Sequence, residues 1–257
     1  MSKIFIIGLP RTGTTSISVA LLEMGFLVAH TAFTKKAFEV AEVISDAPCF
    51  SDYRHLDELF PNSKFIYLSR KLDEWVPSIT MLLGKMAPHL EPKTGRFNPV
   101  LKRSFQHVFS STLPLSNNQL VDCYTRHERA VKTYFSNRDD LLAIDISEQG
   151  SLQKLQRFLS VEVEGLNVPG LNVHGLDVEA VQVEAVQVEG SESELIVGID
   201  RKDKIERKPL EHLAFPKLNV GRNVASWHEY KHPNKVNSNL AGVEHRKYFD
   251  YEFLGYE

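Results

Sequence analysis

Residues 4 to 17, "IFIIGLPRTGTTSI", pass from a β-branched apolar run through Gly8 and Gly13 into a helical pattern. A buried strand that becomes a helix through a Gly-x4-Gly loop aims the backbone N–H groups of residues 11 to 15 at one point. The positive end of the helix dipole lies at the same point, so the turn can hold an anion whatever its side chains are. The same strand–helix order repeats down the chain. Residues 3 to 7 read as a buried strand, and Thr14 to Met24 as a helix with Ile17, Leu21 and Met24 on one face and Gly25 beyond its end. Residues 26–30 form a second strand, 35–44 a helix, and 64–69 a third strand, continuously apolar as an inner parallel strand is. Asp73 can cap a helix running to Leu83. Residues 117–138 read as a helix, 140–145 as a fourth strand and 151–159 as a helix, whereas 84–116 and the chain after Glu211 read as loops. This alternation predicts an α/β fold: a P-loop-type, doubly wound parallel sheet flanked by helices, with a loop-rich C-terminal tail.

Residues 160 to 194 break the alternation. They parse in fives, as SVEVE GLNVP GLNVH GLDVE AVQVE AVQVE GSESE. A period of five is odd, so one face of a strand cannot stay apolar across successive units. A pentapeptide coil needs about four units per turn, and this stretch makes little more than one. The segment has eight acidic residues and no Lys or Arg, so the formal charge of −3 divides into −8 here and +5 elsewhere. We expect one domain over 1–257, interrupted by an acidic pentapeptide-repeat insertion at 160–208, an excursion or loose hairpin with no part in catalysis, with a small ordered β element and a partner-binding tail as the alternatives.

The mildly basic remainder suits an anionic small ligand. It has no dense basic tract with interleaved aromatics, so no nucleic acid partner is expected. No run of eighteen apolar residues and no signal-peptide layout is present, and the two cysteines, Cys49 and Cys123, have neither metal-ligand spacing nor a partner framework. A cytoplasmic protein with reduced thiols and no membrane partner is the expectation.

A loop built for a nucleoside triphosphate carries a lysine directly after its second glycine, for the β- and γ-phosphates. Thr14 stands there, and the cation comes three residues earlier, at Arg11. Pro10-Arg11-Thr12-Gly13-Thr14-Thr15 resembles the 5′-phosphosulfate loop of sulfotransferases that use 3′-phosphoadenosine 5′-phosphosulfate (PAPS), with Arg for the commoner Lys. Gly8 to Ser16 is similar, residue for residue, to a subgroup of small sulfotransferase-like proteins. A second segment agrees: "YLSRKLDEWVPSI" has Arg70 at the end of the third strand, Trp75, and Ser78 eight residues after Arg70, as such enzymes have for the 3′-phosphate. Arg offers a planar fork for a phosphate and Ser a hydroxyl. Trp75 is equally well explained as core packing. The resemblance covers about residues 3–160 and 213–220. In the subgroup Phe-Leu and Phe-Pro lie close together. Here the repeat separates Phe158-Leu159 from Phe215-Pro216, as an insertion would. The family's C-terminal Arg-Lys-Gly is missing, and Gly221-Arg222 is the nearest substitute.

The resemblance implies transfer of a sulfuryl group from PAPS to a hydroxyl or amine of a small-molecule or glycan acceptor, leaving 3′,5′-ADP, without a metal. The implied cofactor residues are Arg11, Thr12, Gly13, Thr14, Thr15, Ser16, Arg70, Ser78 and Arg222. Arg11 and the loop amides would stabilise charge on the leaving oxygen. A general base must then take the acceptor's proton. Asp52, His30 and Asp46 are the candidates; the subgroup's spacing favours Asp52, which can equally be a helix cap, and His30 ends a strand at the edge where ligands bind. His127 reads as a packing or hydrogen-bonding residue. Two alternatives stay open: a non-catalytic nucleotide-binding relative that acts through a partner, and a P-loop small-molecule kinase. Neither the acceptor nor the oligomeric state is written in the sequence.

Overall fold

The computed structural model describes residues 2–109, 113–159, 207, 210, 214–218 and 226–241. Five strands form one sheet in the order β2-β3-β1-β4-β5, every pair parallel. They are β1 (Ile4–Ile6), β2 (Val28–Ala29), β3 (Val43–Ser45), β4 (Lys64–Ser69) and β5 (Leu141–Asp145). The helices are α1 (Thr14–Glu23), α2 (Lys35–Val40), α3 (Cys49–Leu59), α4 (Leu72–Leu90), α5 (Pro99–Phe109), α6 (Asn117–Tyr134), α7 (Ser151–Phe158) and α8 (Ser226–Glu229). This is the α/β parallel architecture that the alternation of elements predicts.

Alternating side chains on the central strands build a core on each face of the sheet. Phe5, Ile7, Phe65 and Tyr67 pack with Phe38, Leu56, Val131 and Phe135 on one side. Ile6, Ile66 and Leu68 pack with Ile17, Leu21, Leu152 and Leu155 on the other. A third cluster joins α4, α5 and α6 through Trp75, Ile79, Phe105, Phe109 and Tyr124, with Leu9 of the glycine loop against it.

Four expectations are corrected. The helix expected over 35–44 ends at Val40, and residues 43–45 form β3, between β2 and β1. Ala41 turns extended there (ψ 137°). A three-residue strand buried on both faces has no periodicity of its own to read, and sheet pairing overrides its neighbours' helix propensity. Lys71, not Asp73, is the N-cap of α4; Asp73 and Glu74 lie in the first turn, where their charges still favour the helix dipole. That helix passes Leu83 and ends at Leu90, crossing Gly84, whose α-carbon faces open space. Residues 99–109, expected as loop, form α5.

Cys49 and Cys123 are buried and not joined in a disulfide. Among the described residues no helix is long and apolar enough to cross a membrane, and no cluster of three or more His, Cys, Asp or Glu is placed to hold a metal ion. The acidic repeat expected as an insertion lies outside the described residues.

Candidate functional site

Parallel strands end together, so whatever follows each strand is delivered to one edge of the sheet, where α/β proteins bind ligands. Here all five strand ends contribute. β1 leads into Pro10–Ser16, β2 into His30, β3 into Asp46, β4 into Arg70, and β5 ends on Asp145 with Ile146 and Ser147 after it. All of these line one cavity of about 700 Å³. One face of α4, bearing Glu74, Pro77, Ser78, Met81 and Leu82, forms a wall, and Ala214–Leu218 closes another side. A second depression, along α6 from Thr125, is lined by that helix and by Ser136 just past its end, and no groups from different elements meet in it.

The glycine loop is shaped by close contacts. A Cβ on Gly8 would lie 2.6 Å from Leu68 Cβ and 2.9 Å from Leu68 N, so only glycine lets β1 run this near β4. Gly13 is the N-cap of α1 with φ +108°, and a Cβ there would strike the Ile146 side chain. Thr12 closes the intervening turn by donating from its Oγ1 and its N–H to the Leu9 carbonyl, at 2.6 and 3.2 Å. No side chain caps α1, whose first intrahelical bond runs from Ile17 N–H to the Gly13 carbonyl at 3.1 Å. Its opening turn, Thr14–Ser16, lines the cavity. Arg11 holds a left-handed backbone (φ 71°), as does Asp46 (φ 56°). Non-glycine residues are rare in that region and cluster at functional sites.

The two segments singled out in the sequence meet here. Arg11 Nε donates to Ser78 Oγ at 2.8 Å, and Arg70 Nη1 donates to the Arg11 carbonyl at 2.9 Å. Burial, and then the charge of Arg70, lower the pKa of the Arg11 guanidinium. Two guanidinium groups held this near each other favour anionic groups beside them. Glu74 offsets part of that charge, with its Oε2 3.4 Å from Arg70 Nε. Thr15 Oγ1 lies 3.0 Å from His30 Nε2, and Ser16 Oγ accepts from Leu218 N–H at 3.4 Å, which ties the loop to the 214–218 segment.

Of the three candidate bases, His30 and Asp46 line the cavity and Asp52 does not. Asp52 lies inside α3 with a side chain fully out of solvent, and both its oxygens accept from the Arg103 guanidinium of α5, Oδ1 at 3.0 Å. That ion pair joins two helices away from the strand ends, and the N-cap of α3 is Pro48. Asp46 stands six residues earlier, on the cavity side of the same helix start. Burial raises its carboxyl to about 7, and its Oδ1 has no hydrogen-bond partner. His30 Nδ1 is 3.9 Å from Asp46 Oδ2, and the imidazole packs on Trp227 with ring centroids 5.1 Å apart. Burial, with the charges of His228 and Lys235, depresses it to about 3. The contact therefore joins a neutral imidazole to a carboxyl that titrates near neutrality, burial of both groups outweighing their proximity. His127, read as a hydrogen-bonding residue, lies 2.9 Å from the Ile7 carbonyl through Nε2.

Asp145, Ser147 and Lys217 line the cavity without having been singled out. Asp145 Oδ1 accepts from the Ser147 N–H and hydroxyl at 2.8 and 2.7 Å. The sign for Asp145 was its place at the end of a strand; for Lys217, it was the "FPKLN" run. Gly221 and Arg222 lie outside the described residues.

No curated protein matches the chain. A sequence model described as a sulfotransferase domain matches residues 31–175, more than half of the 257. It takes in Asp46, Arg70 and Ser78 but begins after the glycine loop and His30, so the loop stands on its own geometry. With the fold, the cavity and this match together, the chain belongs to the sulfotransferase domain family.

Proposed function

We propose that this protein transfers a sulfuryl group from PAPS to a hydroxyl or amine of a small acceptor, releasing 3′,5′-ADP. The observation that carries the proposal is the junction of the two anion-binding segments, Arg11 to Ser78 and Arg70 to the Arg11 carbonyl, at the rim of one cavity. A ligand with phosphate groups on both the 3′- and the 5′-oxygen of an adenosine's ribose fits that pairing. The residues present suit it: an uncapped helix start, the Arg11 and Arg70 guanidinium groups, Ser78 beside Arg11, and Lys217 in the lining.

In this proposal Arg11, the amides of Gly13 to Thr15 and the hydroxyls of Thr14 and Thr15 hold the 5′-phosphosulfate end. They stabilise the charge that gathers on the leaving oxygen. Arg70 and Ser78 hold the 3′-phosphate. The bound donor supplies the activated sulfuryl group, and the acceptor supplies the attacking oxygen or nitrogen. Asp46 takes the acceptor's proton, because it lines the cavity, keeps a partnerless oxygen, and titrates close to neutral pH. His30, depressed to about 3, is too weak a base to lead and instead orients Thr15 and Asp46. Asp52 has a structural role.

Residues 160–206 are, on this proposal, an insertion into a single domain, for Arg207 is already back on the body, paired with Glu42 and donating to the Gly25 carbonyl. The chain leaves the body through Phe158 and Leu159 and returns through Leu210 and Phe215, and all four pack on the same apolar cluster. Gln156 Nε2 donates to the Leu210 carbonyl at 3.3 Å, so the two flanks lie side by side.

The test is transfer of labelled sulfate from PAPS across a panel of phenols, alcohols, sugars and amines, with Arg11→Ala alongside. Transfer by the wild type and its loss in the variant, with 3′,5′-ADP binding retained, support the proposal. Binding of 3′,5′-ADP without turnover on any acceptor favours the non-catalytic relative, and magnesium-dependent ATP binding favours the kinase.

A further inference from the structure

Arg70 is the first residue past the β4–β5 ladder, which ends at the pairing of Ser69 with Asp145. Its peptide has left the strand and precedes the N-cap of α4 at Lys71. The groups on either side of Arg70 are satisfied by one side chain from another element. The Arg70 N–H donates to Tyr124 Oη at 2.8 Å, and Tyr124 Oη donates to the Arg70 carbonyl at 3.0 Å. A phenol hydroxyl can do both, since it has one proton to give and lone pairs to receive. Burial raises the Tyr124 pKa, which keeps that proton in place. Tyr124 is itself fixed. It is buried on α6, with its ring edge-on to Trp75 at 4.9 Å and 61°. Trp75, fully buried, donates from Nε1 to the Pro10 carbonyl at 2.9 Å. One aromatic pair therefore grips a residue in each anion-binding segment, Arg70 through Tyr124 and Pro10 through Trp75.

We infer that Tyr124 is a positioning residue for recognition of the ligand's second phosphate, acting through the Arg70 backbone. The inference rests on the proposed function, in which Arg70 takes the 3′-phosphate. Fixing the peptide on both sides of Arg70 fixes the point from which its guanidinium reaches, so less freedom is lost when a phosphate is bound. Trp75 does the same for the loop at the other end. The two positions thus have separable effects: Tyr124 on the 3′ end alone, Trp75 on the 5′ end that every adenosine 5′-phosphate shares.

Tyr124→Phe keeps the ring and its packing and removes both hydrogen bonds. The experiment is calorimetric titration of wild type, Tyr124→Phe and Trp75→Phe with 3′,5′-ADP and with 5′-AMP, and KM against kcat for PAPS where turnover is measurable. Tyr124→Phe is expected to weaken 3′,5′-ADP about five- to tenfold, the worth of one or two such bonds, leave 5′-AMP unchanged, and raise KM without lowering kcat. Trp75→Phe is expected to weaken both ligands alike. A purely structural tyrosine would instead weaken both ligands together or neither, and either result with Tyr124→Phe overturns the inference. If the wild type itself binds 5′-AMP as tightly as 3′,5′-ADP, the assignment of Arg70 has failed and the inference with it, whatever the variant does.

Discussion

At the scale of single residues, the cavity sets three groups against their ordinary chemistry. Arg11 and Asp46 hold left-handed backbones, and Glu74 puts a carboxylate beside a guanidinium proposed to receive phosphate. Glu74→Gln removes a competing negative charge half-exposed at the rim and is expected to tighten 3′,5′-ADP a fewfold, by more at low salt than at high salt. Titration at two ionic strengths checks it. Arg11→Lys keeps the charge but cannot reproduce the Nε bond to Ser78 while also facing the loop. Turnover is expected to fall about tenfold or more, and Arg11→Ala by about 10²–10³, as when a preorganised donor to a developing oxyanion is removed. Asp46 must be ionised to accept a proton, and burial raises it to about 7. The value of kcat/KM is therefore expected to climb with pH through about 7 and to level above it, and Asp46→Asn should abolish turnover while leaving 3′,5′-ADP binding intact. The pKa shifts also act on stability, with opposite signs. A carboxyl raised in the folded state contributes stability below its unfolded pKa, and loses it as pH rises through about 7. An imidazole lowered to about 3 contributes above its unfolded pKa and loses it as pH falls toward 3. In Asp46→Asn only the second effect remains, so melting temperature should fall more steeply on acidification than in the wild type.

At the scale of elements, the strand–loop–helix of residues 4–23 was open to sequence reasoning because each of its parts carries its own sign: an apolar strand, two glycines at fixed spacing, a 3.6-residue apolar stripe. Arg70 and Ser78 were legible only through a family resemblance; no spacing rule alone would have picked them, and it is the packing of α4 that brings both to the cavity with the loop. The choice between Asp46 and Asp52 was not legible. Both flank the start of α3, and six residues of spacing do not say which side of a helix faces the sheet edge. Only the packing of α5, which brings Arg103 onto Asp52, separates them. Arg103→Met would leave the Asp52 carboxylate buried without its partner and is expected to cost about 3–5 kcal/mol of stability. The pH profile of turnover in the fraction that stays folded should be unchanged, as denaturant melts and rate profiles on one preparation can test. β3 was missed because three buried residues carry no period, and α5 because a helix on a third apolar cluster has no strand beside it to mark its ends. Lys217 reaches the cavity from the far side of the acidic repeat; the "FPKLN" run marks its segment, but nothing in that run says that it comes back to the glycine loop.

At the scale of the molecule, the sheet order puts β1 between β3 and β4, so the loop after β1 has a strand end on each side of it. The 214–218 and 226–241 segments add to this: Leu218 ties to Ser16, Trp227 packs on His30, and Lys235 bridges to Val28 at the sheet edge. The two ends of the body thus meet around the site, and the described residues that flank the acidic repeat, Phe158, Leu159 and Leu210, pack on one apolar cluster. Replacing residues 160–206 by a short Gly/Ser linker is expected to leave melting temperature within a few degrees and 3′,5′-ADP affinity within about twofold, since a loop's length costs little in closure entropy. A large loss of either would mean that the repeat is part of the working body.

The central claim is that this cavity grips an adenosine carrying two separate phosphates, using amides and guanidinium groups. Calorimetric titration of the full-length protein with 3′,5′-ADP and with ATP, side by side and without metal, tests it most directly. The account predicts saturable 3′,5′-ADP binding in the micromolar range, and ATP weaker by at least about tenfold. ATP binding as tight as or tighter than 3′,5′-ADP, or 3′,5′-ADP binding that survives Arg70→Ala undiminished, would contradict it.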